Sequence, residues 1–202
     1  HRPHRVAQHP GRPAVPPTYS EKGGGPGGAD RSWTRIGVAA PAGCAGAFDP
    51  ALGTILAPVG CVRLLRATYL DSTSTTVTTV GLLVTAAQGP AMSALNLRWD
   101  KDDLGLRTDL IPKAVAFPGT AAATFGDHQR GSWAVQISAD LPFVVYAVSG
   151  FADGRTVPVP QPAQKADVDG ATTATAQAGL GFDATGLASA VERPAARRGH
   201  RA

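Results

Sequence analysis

The stretch Cys61–Gln88, CVRLLRATYLDSTSTTVTTVGLLVTAAQ, decides the fold. Val62, Leu64, Ala67, Tyr69 and Leu70 make an apolar first arm. Asp71-Ser72-Thr73-Ser74-Thr75 follows, short side chains that bond their own backbone and favour a turn. The second arm, Thr76–Ala86, sets Val77, Val80, Leu82, Leu83 and Val84 among β-branched threonines suited to a pleated surface. Strand alternation puts Val80, Leu82 and Val84 on one face and Thr79, Gly81 and Thr85 on the other. A lone hairpin is marginal in water, so the rest of the chain must cover it.

Downstream, Gly89–Trp99 places Pro90 at a first helical turn and Met92, Leu95 and Trp99 on one stripe, which predicts a helix lying on the sheet. Trp133, Val135 and Ile137 alternate with smaller or polar residues, the pattern of a strand with one buried face. Phe143–Phe151, FVVYAVSGF, is apolar throughout and predicts a central strand covered on both faces. Lys113–Phe117 reads as an optional edge strand, and Thr120 as the cap of a helical turn over 121–125.

Upstream, Ser32–Val38 reads as a short lead-in strand pinned by Trp33 and Ile36. In Cys44–Cys61, Asp49-Pro50 reads as an N-cap and first helical residue. Ala51, Leu52, Ile55 and Leu56 then recur at helical spacing until Pro58 and Gly60 end the segment. The two cysteines form no C-x-x-C motif and have no nearby histidines to complete a zinc site. One bridge, Cys44–Cys61, in an exported protein fits them; two buried free thiols in a cytoplasmic protein are the alternative.

The expected fold is α+β: an antiparallel sheet of about four strands, ordered β-β-α-β-β, with one main helix and a short disulfide-tied helix. The expected organisation has three parts. Residues 1–35 are a basic Pro/Gly-rich disordered linker, 36–155 a small extracytoplasmic domain, and 156–202 a Pro/Ala-rich, mostly disordered tail. Leu180, Phe182 and Leu187 are at most a docking segment of that tail. Charge follows the same division. Residues 1–35 carry six Lys/Arg against two Asp/Glu, and residues 36–152 carry seven against eight. The high pI therefore lies in the ends, and a basic nucleic-acid groove in the folded part is not expected.

No familiar catalytic signature is present. Asp127-His128 beside Arg130 is the one His–acid cluster of the middle region and the seat of a cryptic hydrolase reading. Asp100, Asp102, Asp103 and Asp109 lack the spacing, glycine and terminal Glu of a calcium loop. His1, His4 and His9 read as a solvated tail rather than a metal site. The serines form no G-x-S-x-G elbow, and residues 36–152 contain no Glu for a paired-Glu glycosidase. Trp33, Trp99, Trp133, Tyr69, Tyr146, Phe143 and Phe151 would suit a carbohydrate platform but sit where core residues belong. No catalytic residue, metal or cofactor is assigned, and binding residues stay unknown.

Residues 60–84, GCVRLLRATYLDSTSTTVTTVGLLV, with AVAFPGTAAATFGD (114–127) and YAVSGFADGR (146–155), resemble a group of uncharacterised exported or single-pass membrane proteins of high-GC actinobacteria. In these a basic cytoplasmic stretch and one transmembrane helix precede a small extracytoplasmic domain. The resemblance implies location, a secreted or membrane-anchored cell-envelope protein, and not activity. The opening HRPHRVAQHPGRP, with no initiator Met, fits a chain whose upstream signal or anchor was removed. The leading functional expectation is a non-enzymatic envelope domain acting through protein contacts. A wall-glycan or small-ligand module using exposed aromatics is the second.

Overall fold

The computed structural model describes residues 14–41 and 43–201. His1, His4 and His9 lie outside them. Among the described residues the chain forms seven strands: β1 Thr18–Glu21, β2 Arg31–Val38, β3 Arg63–Asp71, β4 Thr76–Val84, β5 Ser132–Ile137, β6 Phe143–Phe151 and β7 Gln161–Pro162. It also forms five α-helices: α1 Pro50–Leu56, α2 Pro90–Lys101, α3 Ala163–Ala166, α4 Ala174–Gln177 and α5 Leu180–His200. One sheet holds all strands in the order β1-β2-β3-β4-β6-β5-β7. Every pairing is antiparallel except the parallel β5–β7 pair, so the sheet is mixed.

The predicted hairpin is β3–β4, paired from Arg63↔Val84 to Leu70↔Val77. Its turn is held by Asp71, whose carboxylate accepts from the Thr75 and Thr76 N–H groups at 2.8 and 2.9 Å. β4 lies between β3 and β6 and is buried along nearly its whole length. On one face, Val80 and Leu82 pack with Tyr69, Val145, Ala147 and the helix α5 residues Leu187 and Val191. On the other, Leu83 packs with Leu64, Val144 and Tyr146 under Leu52 and Leu56 of α1 and Met92, Leu95 and Trp99 of α2. Gly81 has no room for a side chain. A Cβ there would lie 2.2 Å from the Tyr146 ring, which crosses over it from the neighbouring strand.

The expected four-strand sheet with one main helix is too small. The β-β-α-β-β core exists as β3-β4-α2-β5-β6, but β1, β2, β7 and α5 extend it. These elements lie largely in the stretches read as a linker and a tail, where the chain forms β1, most of β2, β7 and the helices α3, α4 and α5. Physically, α5 packs on β4, β5 and β6 with Leu180, Ala184, Leu187, Ala188 and Val191, a stripe at helical spacing in which alanines are interleaved with larger residues. A composition rule misses such a stripe because alanine contributes little hydropathy while still allowing close helix–sheet approach.

Two smaller expectations also fail. Lys113–Phe117 is not a strand: the Val115 N–H donates to Thr79 Oγ1 at 3.0 Å and its carbonyl accepts from Thr68 Oγ1 at 2.9 Å, bonds to side chains that replace a ladder. Residues 121–125 turn without forming a helix, although Thr120 Oγ1 accepts from the Ala122 N–H as a cap would (3.1 Å). Asp49 precedes α1 as expected but makes no side-chain cap bond. Its carboxylate pairs instead with Lys113 (3.2 Å) and Arg130 (3.3 Å), tying α1 to the segment that follows α2.

Candidate protein-interaction edge

The site begins with the way β5 stops being paired. β5 and β6 run antiparallel in register from Ser132↔Ser149 to Ile137↔Val144. The Ser138 N–H donates to the Phe143 carbonyl at 3.3 Å. Backbone groups alternate in direction along a strand, so those of Gln136 and Ala134 also face β6, and those of Val135 face outward. On the outer side β7 pairs only with Ser132 and Trp133. Pro162 ends β7, and the chain turns away into α3. From Ala134 to Ile137, about 13 Å of strand, the edge has no neighbouring strand among the described residues. The far end is closed by Asn96 of α2, whose Nδ2 donates to the Ile137 carbonyl at 2.7 Å.

That open edge forms the floor of a cleft of about 430 Å3. One wall comes from α2 and the short turn after it, with Trp99, Asp100 and Asp103. The other comes from α3 and α5, with Gln164, Asp167 and Thr185. No Lys or Arg lines it. Trp99 and Trp133 also border the cleft but are only 7% and 1% exposed, so neither offers an open ring face for a sugar. The Trp133 indole N–H is buried without a hydrogen-bond partner, as is Asp167 Oδ1. Such buried orphans are uncommon; Arg66 Nε, Ser132 Oγ and the Tyr146 hydroxyl are others among the described residues.

Asp167 has an unusual setting. Its Oδ2 accepts from Thr185 Oγ1 at 3.2 Å, and its Oδ1 lies so near the α5 backbone that a Cβ on Gly181 would sit 2.2 Å away. Burial pushes its carboxyl up to about 6, the nearby Asp183 charge adds to this, and the Thr185 hydroxyl opposes it. An acid whose folded-state value lies above its unfolded one holds its proton better when folded, so stability rises as pH falls through about 6 and levels off near 4. Asp167→Asn removes that cost. The variant is expected to gain about 1–2 kcal/mol at pH 7.5, discounting for partial solvent contact, and nothing at pH 4. Urea unfolding at the two pH values checks this; an equal effect at both removes the ionisation argument.

The sequence candidates fall elsewhere. Asp127 pairs with Lys113 (3.4 Å) and Arg130 (3.8 Å), and Arg130 also donates to the Ile111 and Pro112 carbonyls. This is a structural clamp. His128 is exposed, and no second acid stands beside its ring among the described residues. Asp102 pairs with Arg98 and Asp109 with Arg107, which leaves Asp100 and Asp103 to line the cleft. Among the described residues no cluster of three or more His, Cys, Asp or Glu could hold a metal. Cys44 and Cys61 are bridged, with Cα atoms 6.0 Å apart. No helix of the described residues is long and apolar enough to cross a membrane.

The exposed large apolar residues Val38, Val62, Leu97, Val159 and Val168 are spread over separate elements. Sequence reasoning missed the β5 edge because pairing is a property of topology. The one available signal was the Pro-rich VPVPQP run (157–162), where a strand must be short. Comparison of the chain with family models, with curated proteins and with solved structures finds no match in any of the three.

Proposed function

We propose that this protein is a non-enzymatic domain of the extracytoplasmic cell envelope that acts by contact with another protein. The contact is addition of an extended partner segment to the open edge of β5. One observation carries the reading: the outward N–H and C=O of Val135 lie on the floor of a cleft and have no strand beside them. An unpaired edge is a template for another chain, and main-chain hydrogen bonds then supply affinity while flanking pockets supply choice. The Cys44–Cys61 bridge supports the compartment, because such bridges persist in oxidising surroundings.

Val135→Pro tests it. The proline removes an N–H that has no partner inside the sheet, and edge strands tolerate proline for that reason. The variant is expected to keep its circular dichroism spectrum and to lose the partner captured from envelope fractions by the wild type. Equal capture by both proteins rules out the β5 edge as the contact.

A further inference from the structure

We infer that the segment added at β5 is basic, with Lys or Arg at two consecutive positions, one of them directly opposite Val135. The inference rests on the edge reading above and adds the chemistry of the partner.

Residues paired across neighbouring strands point to the same face of a sheet, and successive residues point to opposite faces. Val135 pairs with Tyr146 and shares its face, the one covered by α2. The partner residue opposite Val135 therefore points toward α2, where Asp100 and Asp103 stand. Its neighbour in sequence points to the other face, toward Asp167. The two walls thus each present carboxylate to alternate side chains of one added strand. Asp100 and Asp103 make no ion pair among the described residues, whereas the nearby Asp102 and Asp109 are already neutralised by Arg98 and Arg107. No Lys or Arg lines the cleft itself. Polyanions and acidic segments are repelled for the same reason.

The test uses octapeptides of alternating Thr and Val with Lys-Arg, Ser-Thr or Glu-Asp at the centre, and a Lys-Arg peptide N-methylated at alternate residues. Binding is read by fluorescence anisotropy on the full chain, at low and at physiological salt. The Lys-Arg peptide is expected to bind about tenfold or more tighter than Glu-Asp, the gap narrowing with salt. Asp100→Asn combined with Asp103→Asn, and Asp167→Asn alone, should each weaken Lys-Arg binding several-fold, while Asp109→Asn, outside the cleft, leaves it unchanged. N-methylation should abolish binding. If all three centres bind equally and Val135→Pro abolishes them, the edge reading stands and the basic partner is overturned. If no peptide binds, or Val135→Pro and N-methylation change nothing, the edge reading itself falls and takes this inference with it.

Discussion

Asp183→Ala is expected to lower the stability of this protein by about 3–5 kcal/mol, the cost typical of removing one partner from a buried ion pair. Asp183 sits in the first turn of α5 and is 0% exposed. Its carboxylate accepts from the Arg31 guanidinium, with Nε at 3.0 Å, from the Trp33 indole N–H at 2.9 Å and from the Thr76 hydroxyl at 2.8 Å. Arg31 and Trp33 belong to β2 and Thr76 to β4, so one side chain ties α5 to two strands. Burial pushes the Asp183 carboxyl up, and the guanidinium together with these hydrogen bonds pulls it back. Truncation removes the acceptor and leaves a mostly buried guanidinium, an indole N–H and a hydroxyl without it, so the penalty is that of several stranded donors rather than of one lost contact. For a chain of this size the loss corresponds to roughly 10 °C in Tm. Replacing both charges, Arg31→Met with Asp183→Leu, should recover the part due to the stranded guanidinium, while the Trp33 N–H and the Thr76 hydroxyl still lack their acceptor. A loss below about 1 kcal/mol for Asp183→Ala would mean that α5 is held by its apolar stripe alone.

That network shows where legibility in the sequence ends. The hairpin, β6 and α2 are local statements: Asp71 bonds the turn beside it, and Met92, Leu95 and Trp99 mark a face within three turns. Each was readable because its partners are within a few residues or its period is complete. The Arg31–Asp183 pair is separated by 152 positions, and no short-range pattern announces it. Helix α5 is a mixed case. Leu180, Ala184, Leu187 and Val191 do recur at helical spacing, but Gly181, Gly186 and Pro194 interrupt the run and its alanines resemble a low-complexity tail. A Cβ at Gly186 would lie 2.9 Å from Glu21 Oε2 and 3.0 Å from the Trp33 ring, so the helix sits close against β1 and β2 there. The candidate site was less legible still. Asp100 and Asp103 were visible as a polar surface stretch and the tryptophans as core, Asp167 carried no signal of its own, and what unites them is the place where β7 ends. Strand order decides that place, and no single segment carries it.

The second large effect concerns the Cys44–Cys61 bridge. Reducing it, or replacing both residues with alanine, is expected to lower stability by about 3 kcal/mol, the chain-entropy value for a loop of this length. The bridge spans 17 positions in sequence and encloses α1 and the 3-10 turn Ala57–Val59. Within that loop Leu52, Leu56 and Val59 are buried against Leu64 and Leu83 of the β3–β4 hairpin. The loop therefore keeps an apolar anchor when the bridge opens, and the sheet should persist while the loop loosens. Native-state hydrogen exchange separates these outcomes, because local opening is resolved from global unfolding. Amides of α1, such as the Gly53 N–H bonded to the Asp49 carbonyl at 3.1 Å, should exchange faster in reductant by far more than those of β4 and β6. The size of the effect also bears on compartment. A fold that leans on its bridge by about 3 kcal/mol spends a large part of the 5–15 kcal/mol typical of a domain when its thiols are kept reduced. It is then better suited to an oxidising setting, in line with the envelope assignment proposed above. If unfolding midpoints in urea are the same with and without reductant, the bridge contributes nothing to stability, and the cysteines no longer argue for any compartment.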